Sequence, residues 1–263
     1  MGRLLLLRLL VIGVLAHAAN VHAGMILHVD TSGDFAHRAK GISEVLGTDG
    51  HSVTSILNGA DGLAALNGLL DSYGLVVWDS WSNSGADFAH LSTYVASGGR
   101  VLVLGYDSVF QAEMSAFLGG SSVSDLYAAA DPVVNVANSL TTGVEDIRGR
   151  TPAVIGDLDA LNGLLPETSA VLQGSGRNLW TIRHLGLGEI AFMSTTFGFN
   201  FETGDAVYRA ALRNFASTSG RQGGFNATQA PEPASTALLC VGVGLLTCFR
   251  NRLCRRQRDK QAA

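Results

Sequence analysis

The chain has 263 residues, of which 47% are hydrophobic and 15% charged, so it is long enough for one large or two small domains and too apolar for a disordered protein. Its 32 glycines come with only 5 prolines and no repeat, which excludes collagen and low-complexity scaffolds. The formal charge is −4, but residues 24 to 230 carry 10 Arg or Lys against 20 Asp or Glu, a net −10 that repels nucleic-acid phosphates.

Residues 1–23 have the features of a secretory signal peptide. Arg3 and Arg8 precede the apolar stretch Leu9–Ala16, and Val21-His22-Ala23 supplies the short residues that signal peptidase reads. We therefore predict cleavage after Ala23 and export of the remainder. A membrane anchor is the alternative, but the apolar stretch is shorter than the roughly 20 residues that a membrane span needs.

Four apolar runs in the first half of the exported part predict buried parallel strands. They are Met25–Val29, Val53–Leu57, Leu75–Trp78 and Val101–Leu104. Unbroken apolar runs of this length fit strands that are covered on both faces. Between them, apolar residues spaced by three and four predict two helices, one with Leu63, Leu66 and Leu70 and one with Phe88, Leu91 and Val95. Asp87 suits the start of the second helix, and Gly98-Gly99 suits its end.

The second half of the exported part predicts an antiparallel edge and a final helix. Ala170–Gln173 and Leu179–Ile182 flank five residues, which predicts a hairpin with a five-residue loop. Ile190–Met193 predicts another buried strand, and apolar spacing predicts a helix over Asp205–Ser217. Strands that alternate with helices predict an α/β fold with a doubly wound, mainly parallel sheet.

Several segments of this region match a known family in their order and spacing. They are Tyr73–Trp78, Leu91–Val95, Gly98–Gly105, Ser139–Val144, Gly186–Phe192 and Arg213-Asn214. This order resembles the class I glutamine amidotransferase-like domain, which has a three-layer flavodoxin-like fold and includes non-enzymatic members in secreted bacterial proteins. The resemblance spans roughly residues 25 to 217 and implies a single α/β domain over residues 24–218.

The catalytic residues of that family are absent from this sequence. In the enzymes a cysteine nucleophile follows the glycine after the central strand, and a His-x-Glu pair follows a late strand. Here Tyr106 and Asp107 follow Gly105, and Met193-Ser194-Thr195 follow Phe192. Because acyl transfer from glutamine needs a thiolate and an imidazole that activates it, we expect no amidotransferase activity. We also expect no cofactor, with a weakly bound divalent cation at most.

Three aspartates form the candidate ligand site. Asp30, Asp79 and Asp107 each follow an apolar run, which predicts them at the C-terminal edge of three strands, where parallel α/β sheets bind ligands. Three carboxylates there would suit a weakly bound divalent cation or a cationic sugar group. Alternatively, each aspartate caps the helix that follows it. Trp78 and Trp81 flank Asp79 and predict either a carbohydrate contact or core packing.

The C-terminal segment has three features in a fixed order. After a glycine-rich polar linker, residues 219–230, Pro231-Glu232-Pro233 precedes sixteen uncharged residues, Ala234–Phe249. A basic tail follows, with Arg250, Arg252, Arg255, Arg256 and Arg258. A short apolar span with a basic flank predicts a membrane helix, residues 234–249, with a cytoplasmic tail. The three cysteines, Cys240, Cys248 and Cys254, all lie in this segment, so we expect no disulfide in the folded domain.

This order of features resembles the PEP-CTERM sorting signal of Gram-negative bacteria. The resemblance implies that an exosortase cuts near Pro231-Glu232-Pro233 and releases or transfers the protein to the cell exterior. A permanent single-pass anchor is the alternative interpretation of residues 231–263.

These features together predict a protein that is exported across the inner membrane, transiently anchored in it, and then displayed or released. The sorting-signal resemblance implies a non-catalytic binding or structural module of an exopolysaccharide or biofilm matrix. Its expected partners are signal peptidase, the exosortase, the membrane before processing, and polysaccharide. The alternative is an extracellular hydrolase that acts on a saccharide or ester through the carboxylates at the strand ends.

Overall fold

The computed structural model describes residues 25–31, 36–80, 85–105, 112–195, 201 and 204–218. The chain divides into two units, Met1–Arg221 and Gln222–Ala263, and the described residues all lie in the first. The predicted signal peptide, linker, sorting motif, membrane helix and basic tail lie outside the described residues. None of the helices in the described part has the length and apolar character that a membrane crossing needs.

The described residues form ten strands and five α-helices, with one 3-10 turn at Leu70–Ser72. The strands are β1 (Met25–Asp30), β2 (Ser52–Ile56), β3 (Leu75–Ser80), β4 (Arg100–Gly105), β5 (Ser122–Ala128), β6 (Val133–Val134), β7 (Ile155–Asn162), β8 (Thr168–Gly174), β9 (Arg177–Leu185) and β10 (Gly188–Ser194). The helices are α1 (Ala36–Thr48), α2 (Gly59–Gly68), α3 (Phe88–Ala96), α4 (Ala112–Leu118) and α5 (Ala206–Thr218).

All ten strands belong to one mixed sheet with the order β2-β1-β3-β4-β10-β9-β7-β5, and β8 pairs with β9 and β6. The pairs among β2, β1, β3, β4 and β10 are parallel. The prediction of central parallel strands at Leu75–Trp78 and Val101–Leu104 is confirmed, because β3 and β4 are adjacent and buried at every position. The mixed α/β class is therefore confirmed.

One of the four predicted strands has a different environment from the one expected. The run Val53–Leu57 was expected to be buried on both faces, but β2 pairs with β1 at one end of the sheet order. Ser52, Thr54 and Ser55 are exposed. The serine and threonine residues of β2 explain this exposure, because an edge strand keeps part of its surface in contact with water.

The antiparallel part of the sheet is larger than the predicted edge. It comprises β5 to β9, and β9 also pairs antiparallel with β10. The predicted hairpin is confirmed as β8 and β9, but its loop has two residues instead of five. Ser175 and Gly176 have φ of 52° and 70°, and two successive left-handed residues close a two-residue hairpin directly. Arg177 and Asn178 therefore belong to β9.

Helices cover both faces of the sheet. Apolar residues of α1 and α5 pack on one face, against Ile26, Val77 and Leu104 among others. Those of α2, α3 and α4 pack on the other face, against Leu27, Val76 and Trp78 among others. Successive side chains of a strand point to opposite faces, so an unbroken apolar strand fills both layers.

Side chains of polar residues fix the starts of three helices. Asn58 accepts a hydrogen bond from the Ala60 amide at the start of α2, and Asp87 accepts one from the His90 amide at the start of α3. Asp205 accepts from the amides of Val207 and Tyr208 at the start of α5. The prediction that Asp87 begins a helix is confirmed, and its carboxylate satisfies an amide that has no partner within the helix.

Candidate functional site

Asp30 and Asp79 lie side by side at the carboxyl edge of the parallel strands. Asp30 ends β1, Asp79 is the penultimate residue of β3, and the two are direct partners in the strand register. Asp30 lies four residues after Ile26, and Asp79 lies two residues after Val77, so both aspartates are on the same face of the sheet as these core residues. Because adjacent strands are about 4.8 Å apart, two of the three predicted ligand residues are neighbours. Asp107 lies outside the described residues.

Both aspartates are removed from solvent. The exposed fraction is 0% for Asp30 and 9% for Asp79. Thr31, the residue after β1, lies across this edge, because its amide donates to the Asp79 carbonyl at 3.1 Å. The indole Nε1 of Trp78 donates to Thr31 Oγ1 at 3.0 Å. The ends of β1 and β3 are therefore tied together beyond the strand ladder, by a threonine that the sequence pattern did not single out.

Trp78 is a core residue and not a surface for a sugar ring. Its side chain is fully buried, and its ring lies 6.2 Å from the ring of Phe88 on α3. Of the two interpretations of this tryptophan, the structure supports core packing. Trp81 lies outside the described residues.

Helix α2 approaches the same edge closely. A Cβ atom on Gly62 would lie 2.5 Å from the carbonyl oxygen of Asp30, which is closer than any side chain can come. Gly62 is thus required for the packing of α2 against the end of β1. No sequence pattern predicts this contact, because it joins residues 32 positions apart.

A second group of buried polar residues lies at the end of β10. Ser194 is fully buried, and its Oγ accepts a hydrogen bond from the Asp159 amide of β7 at 2.9 Å. The Tyr208 hydroxyl of α5 donates to the Ser194 carbonyl at 2.7 Å, and burial raises the pKa of that hydroxyl. The Thr195 amide donates to the Gly105 carbonyl at 3.3 Å. These residues fasten β10 to β7, α5 and β4.

Asp159 is a buried polar residue that the sequence analysis missed. It is 2% exposed and lies in β7, in the part of the chain where the alternation of strands and helices was not evident. A single aspartate between Leu158 and Ala160 carries no motif, so only the structure relates it to Ser194.

His28 lies on the same strand as Asp30, two residues earlier and on the same face. Its Nδ1 is 3.0 Å from Ser43 Oγ of α1, and Ser43 Oγ is 3.1 Å from Ser55 Oγ of β2. Burial lowers the pKa of His28 to about 4, so the imidazole is neutral at neutral pH. Among the described residues no group of three or more His, Cys, Asp or Glu side chains has an arrangement that could hold a metal ion.

A buried ion pair lies at the opposite, amino edge of the sheet. Arg100 begins β4, is 2% exposed, and is the register partner of Glu189 in β10. Its Nη2 donates to Glu189 Oε2 at 2.9 Å, its Nη1 donates to the Phe215 carbonyl, and its guanidinium lies 3.7 Å from the centre of the Phe215 ring. Burial lowers the pKa of Arg100, and Glu189 opposes that shift. The pair joins the sheet to the end of α5.

The family-like segments Ser139–Val144 and Arg213-Asn214 contact each other. Asn214 is fully buried, and its Nδ2 donates to the carbonyls of Leu140 and Glu145 at 3.1 and 2.6 Å. Its Oδ1 accepts from the Glu145 amide at 2.8 Å. These two segments therefore have a structural role, because the side chain of Asn214 on α5 binds the irregular backbone at Leu140 and Glu145.

The chain matches no family model and no curated protein. Among solved structures it is similar to the cytoplasmic protein STM1381 from Salmonella typhimurium LT2, at 11% identity and a TM-score of 0.51 over 74% of this chain and 98% of that one. It is also similar to the cytoplasmic protein STM3548 from Salmonella typhimurium, at 14% identity and a TM-score of 0.51 over 73% and 97% of the two chains. At these identities the likeness concerns the fold alone.

A further alignment is with the exo-beta-1,4-mannosidase Op5Man5 from Opitutaceae bacterium strain TAV5. Its identity is 11% and its TM-score 0.42, over 78% of this chain and 37% of that one. A likeness this weak carries no argument about fold or activity.

Proposed function

We propose that this chain is an exported, exosortase-sorted protein whose α/β domain is a non-catalytic binding or structural module of an extracellular polysaccharide matrix. The basis for export is the order of sequence features at the two ends. A basic and apolar N-terminal segment precedes the domain, and Pro231-Glu232-Pro233, an apolar stretch and an arginine-rich tail follow it.

We further propose that the domain is flavodoxin-like and related to class I glutamine amidotransferase-like domains. The strand order β2-β1-β3-β4-β10 supports this, because it is the 2-1-3-4-5 order of flavodoxin-like sheets when the parallel strands are counted in chain order. Helices on both sheet faces give the three layers that such a domain has.

The non-catalytic proposal rests on one observation, which is that the residues at the end of β10 are buried and packed against neighbouring elements. Met193, Ser194 and Thr195 stand where the enzymes carry histidine and glutamate, and all three are at most 1% exposed. The Ser194 hydroxyl and carbonyl are both engaged by neighbouring elements. Residues that are held in this way, with no imidazole among them, cannot activate a nucleophile.

The hydrolase alternative depends on Asp30 and Asp79, the carboxylates that are neighbours at the carboxyl edge. Their adjacency in the strand register favours it, because retaining glycosidases use two carboxylates that lie close together. Their burial at 0% and 9% exposure opposes it, because a catalytic carboxylate must touch its substrate. We therefore retain binding or structure as the proposed role.

The sorting proposal is tested by the mass of the exported protein. We expect the full chain, produced in a bacterial host with an exosortase, to be recovered without residues 240 to 263, and the same chain in a host lacking the enzyme to keep them. Replacing Glu232 by Ala should prevent the cleavage, whereas replacing Glu202 by Ala, outside the motif, should not. Recovery of intact protein from both hosts would mean that the chain is a permanently anchored protein.

A further inference from the structure

Both ends of the folded domain lie at the amino edge of its sheet. This edge carries the first residues of the parallel strands, and Met25 begins β1 there. Helix α5 starts near the opposite edge, where the Tyr208 hydroxyl donates to the end of β10. It ends at the amino edge, where the Phe215 carbonyl accepts a hydrogen bond from Arg100. Thr218, the last residue of α5, therefore lies at the same edge as Met25.

The amino edge also carries exposed apolar side chains. Leu187 lies at the tip of the two-residue turn between β9 and β10 and is 77% exposed. Leu69 precedes the 3-10 turn that leads into β3, and the amide of the residue after Val144 donates to Asn214 near the end of α5. We call the four exposed apolar residues of this edge the amino-edge patch: Met25, Leu69, Val144 and Leu187.

Charges around the amino-edge patch largely cancel. Three ion pairs lie at this edge: Asp49 with Arg213 at 2.8 Å, Glu189 with Arg100 at 2.9 Å, and Glu145 with Arg150 at 2.7 Å. Asp71, in the turn before β3, adds one negative charge. Residues 24 to 230 carry a net charge of −10, so most of the excess negative charge belongs to other surfaces. Anionic lipid headgroups repel those surfaces more strongly than they repel the amino edge.

We infer that the amino edge is a lipid-contact surface, through which the anchored domain lies against the membrane. The inference rests on the proposed anchoring, because it needs the predicted membrane helix, residues 234–249. Residues 219–233 join Thr218 to this helix, and fifteen residues span at most about 50 Å when fully extended. The carboxyl edge could face the membrane only if this segment ran along the whole side of the domain. Before cleavage, the predicted signal peptide joins the domain at the same edge, through Met25.

The contact is expected only while the chain is anchored. Exposed leucine, methionine and valine side chains gain free energy when they leave water for the boundary of the acyl chains. Four such side chains bind a membrane weakly, because even a single covalent acyl chain gives only marginal binding. An anchor in the same chain raises their effective concentration at the lipid surface. In this orientation the carboxyl edge, with Asp30 and Asp79, faces away from the membrane and towards the proposed matrix.

Quenching by lipid tests the contact in the full chain. Cys240, Cys248 and Cys254 are replaced by Ser, and a fluorescent label is attached at Leu187→Cys or, as a matched control, at Ser175→Cys. Ser175 lies at the tip of the two-residue β8–β9 turn, on the carboxyl edge. The chains are reconstituted in vesicles of phosphatidylethanolamine and phosphatidylglycerol that contain a lipid spin-labelled near the headgroup.

We expect several-fold stronger quenching of the label at Leu187 than of the label at Ser175. Equal quenching in chains that float with the vesicles overturns the inference and leaves the anchoring intact. Chains that do not float with the vesicles contradict the anchoring and the inference together.

A charged variant tests the role of the apolar side chains. With the label at Val144→Cys, adding Leu187→Asp should reduce the quenching several-fold, because a carboxylate is costly to move out of water. Tyr127→Asp is the control, because Tyr127 is 78% exposed, as much as Leu187, and lies on β5; it should leave the quenching unchanged. Both variants should still float with the vesicles. Quenching at Val144 that is insensitive to Leu187→Asp would refute the amino-edge contact.

Discussion

Replacing Asn214 by Ala should strongly destabilise the domain. The substitution removes three hydrogen bonds at one fully buried site, two to the carbonyls of Leu140 and Glu145 and one from the Glu145 amide. Each such bond contributes about 1 kcal/mol net, and a buried group left without its partner costs about 1 to 3 kcal/mol. The freed amide and carbonyl of Glu145 are only partly buried and can be rehydrated, whereas the Leu140 carbonyl is buried, so we expect the free energy of unfolding to fall by about 3 to 4 kcal/mol.

Urea denaturation of the full chain, followed by tryptophan fluorescence, measures this loss. Arg213→Ala is the matched control, because Arg213 is the preceding residue on α5 and is 36% exposed, with an ion pair to Asp49 at 2.8 Å. An exposed pair of this kind contributes about 0 to 1 kcal/mol. Hydrogen exchange at the Glu145 amide should also become faster in Asn214→Ala and not in Arg213→Ala. If the two variants lose equal stability, Asn214 does not hold the backbone at Leu140 and Glu145 as the hydrogen bonds indicate.

Three further predictions concern His28, the aspartate pair and Arg100. The folded protein keeps His28 neutral down to its pKa of about 4, whereas the unfolded chain takes up the proton near 6.5. The free energy of unfolding should therefore fall by up to about 3 kcal/mol as the pH drops between these values. In urea titrations at each pH, His28→Leu should remove this dependence and His90→Gln should not. Calorimetric titration of the full chain with calcium should give at most weak heats. A signal that is lost in both Asp79→Asn and Asp107→Asn would establish a cation site. Equal heats in all three proteins would mean that the aspartates have only a structural role. Arg100→Met should lower the free energy of unfolding by about 3 kcal/mol in urea, because it leaves Glu189 half-buried without its main partner; a change below about 1 kcal/mol would mean that the pair contributes little.

The parallel half of the sheet could be predicted from the sequence because its signal is local. β3 and β4 are unbroken apolar runs, and such a run has few stable environments other than a strand covered on both faces. The start of α3 at Asp87 is local for the same reason, since a capping carboxylate and the amide that it accepts are three residues apart. The position of Asp30 and Asp79 at strand ends follows from these runs.

What the sequence did not determine depends on contacts between distant residues. The pairing of Asp30 with Asp79 depends on the register of β1 against β3. The buried polar group at Ser194 forms because β7 reaches the end of β10. Gly62 is needed because a turn of α2 touches the end of β1, 32 residues away in the chain. The antiparallel half of the sheet was underestimated because its strands mix polar and apolar residues without a clear period. Apolar periodicity reports whether a residue is covered, and only the tertiary structure decides which element covers it.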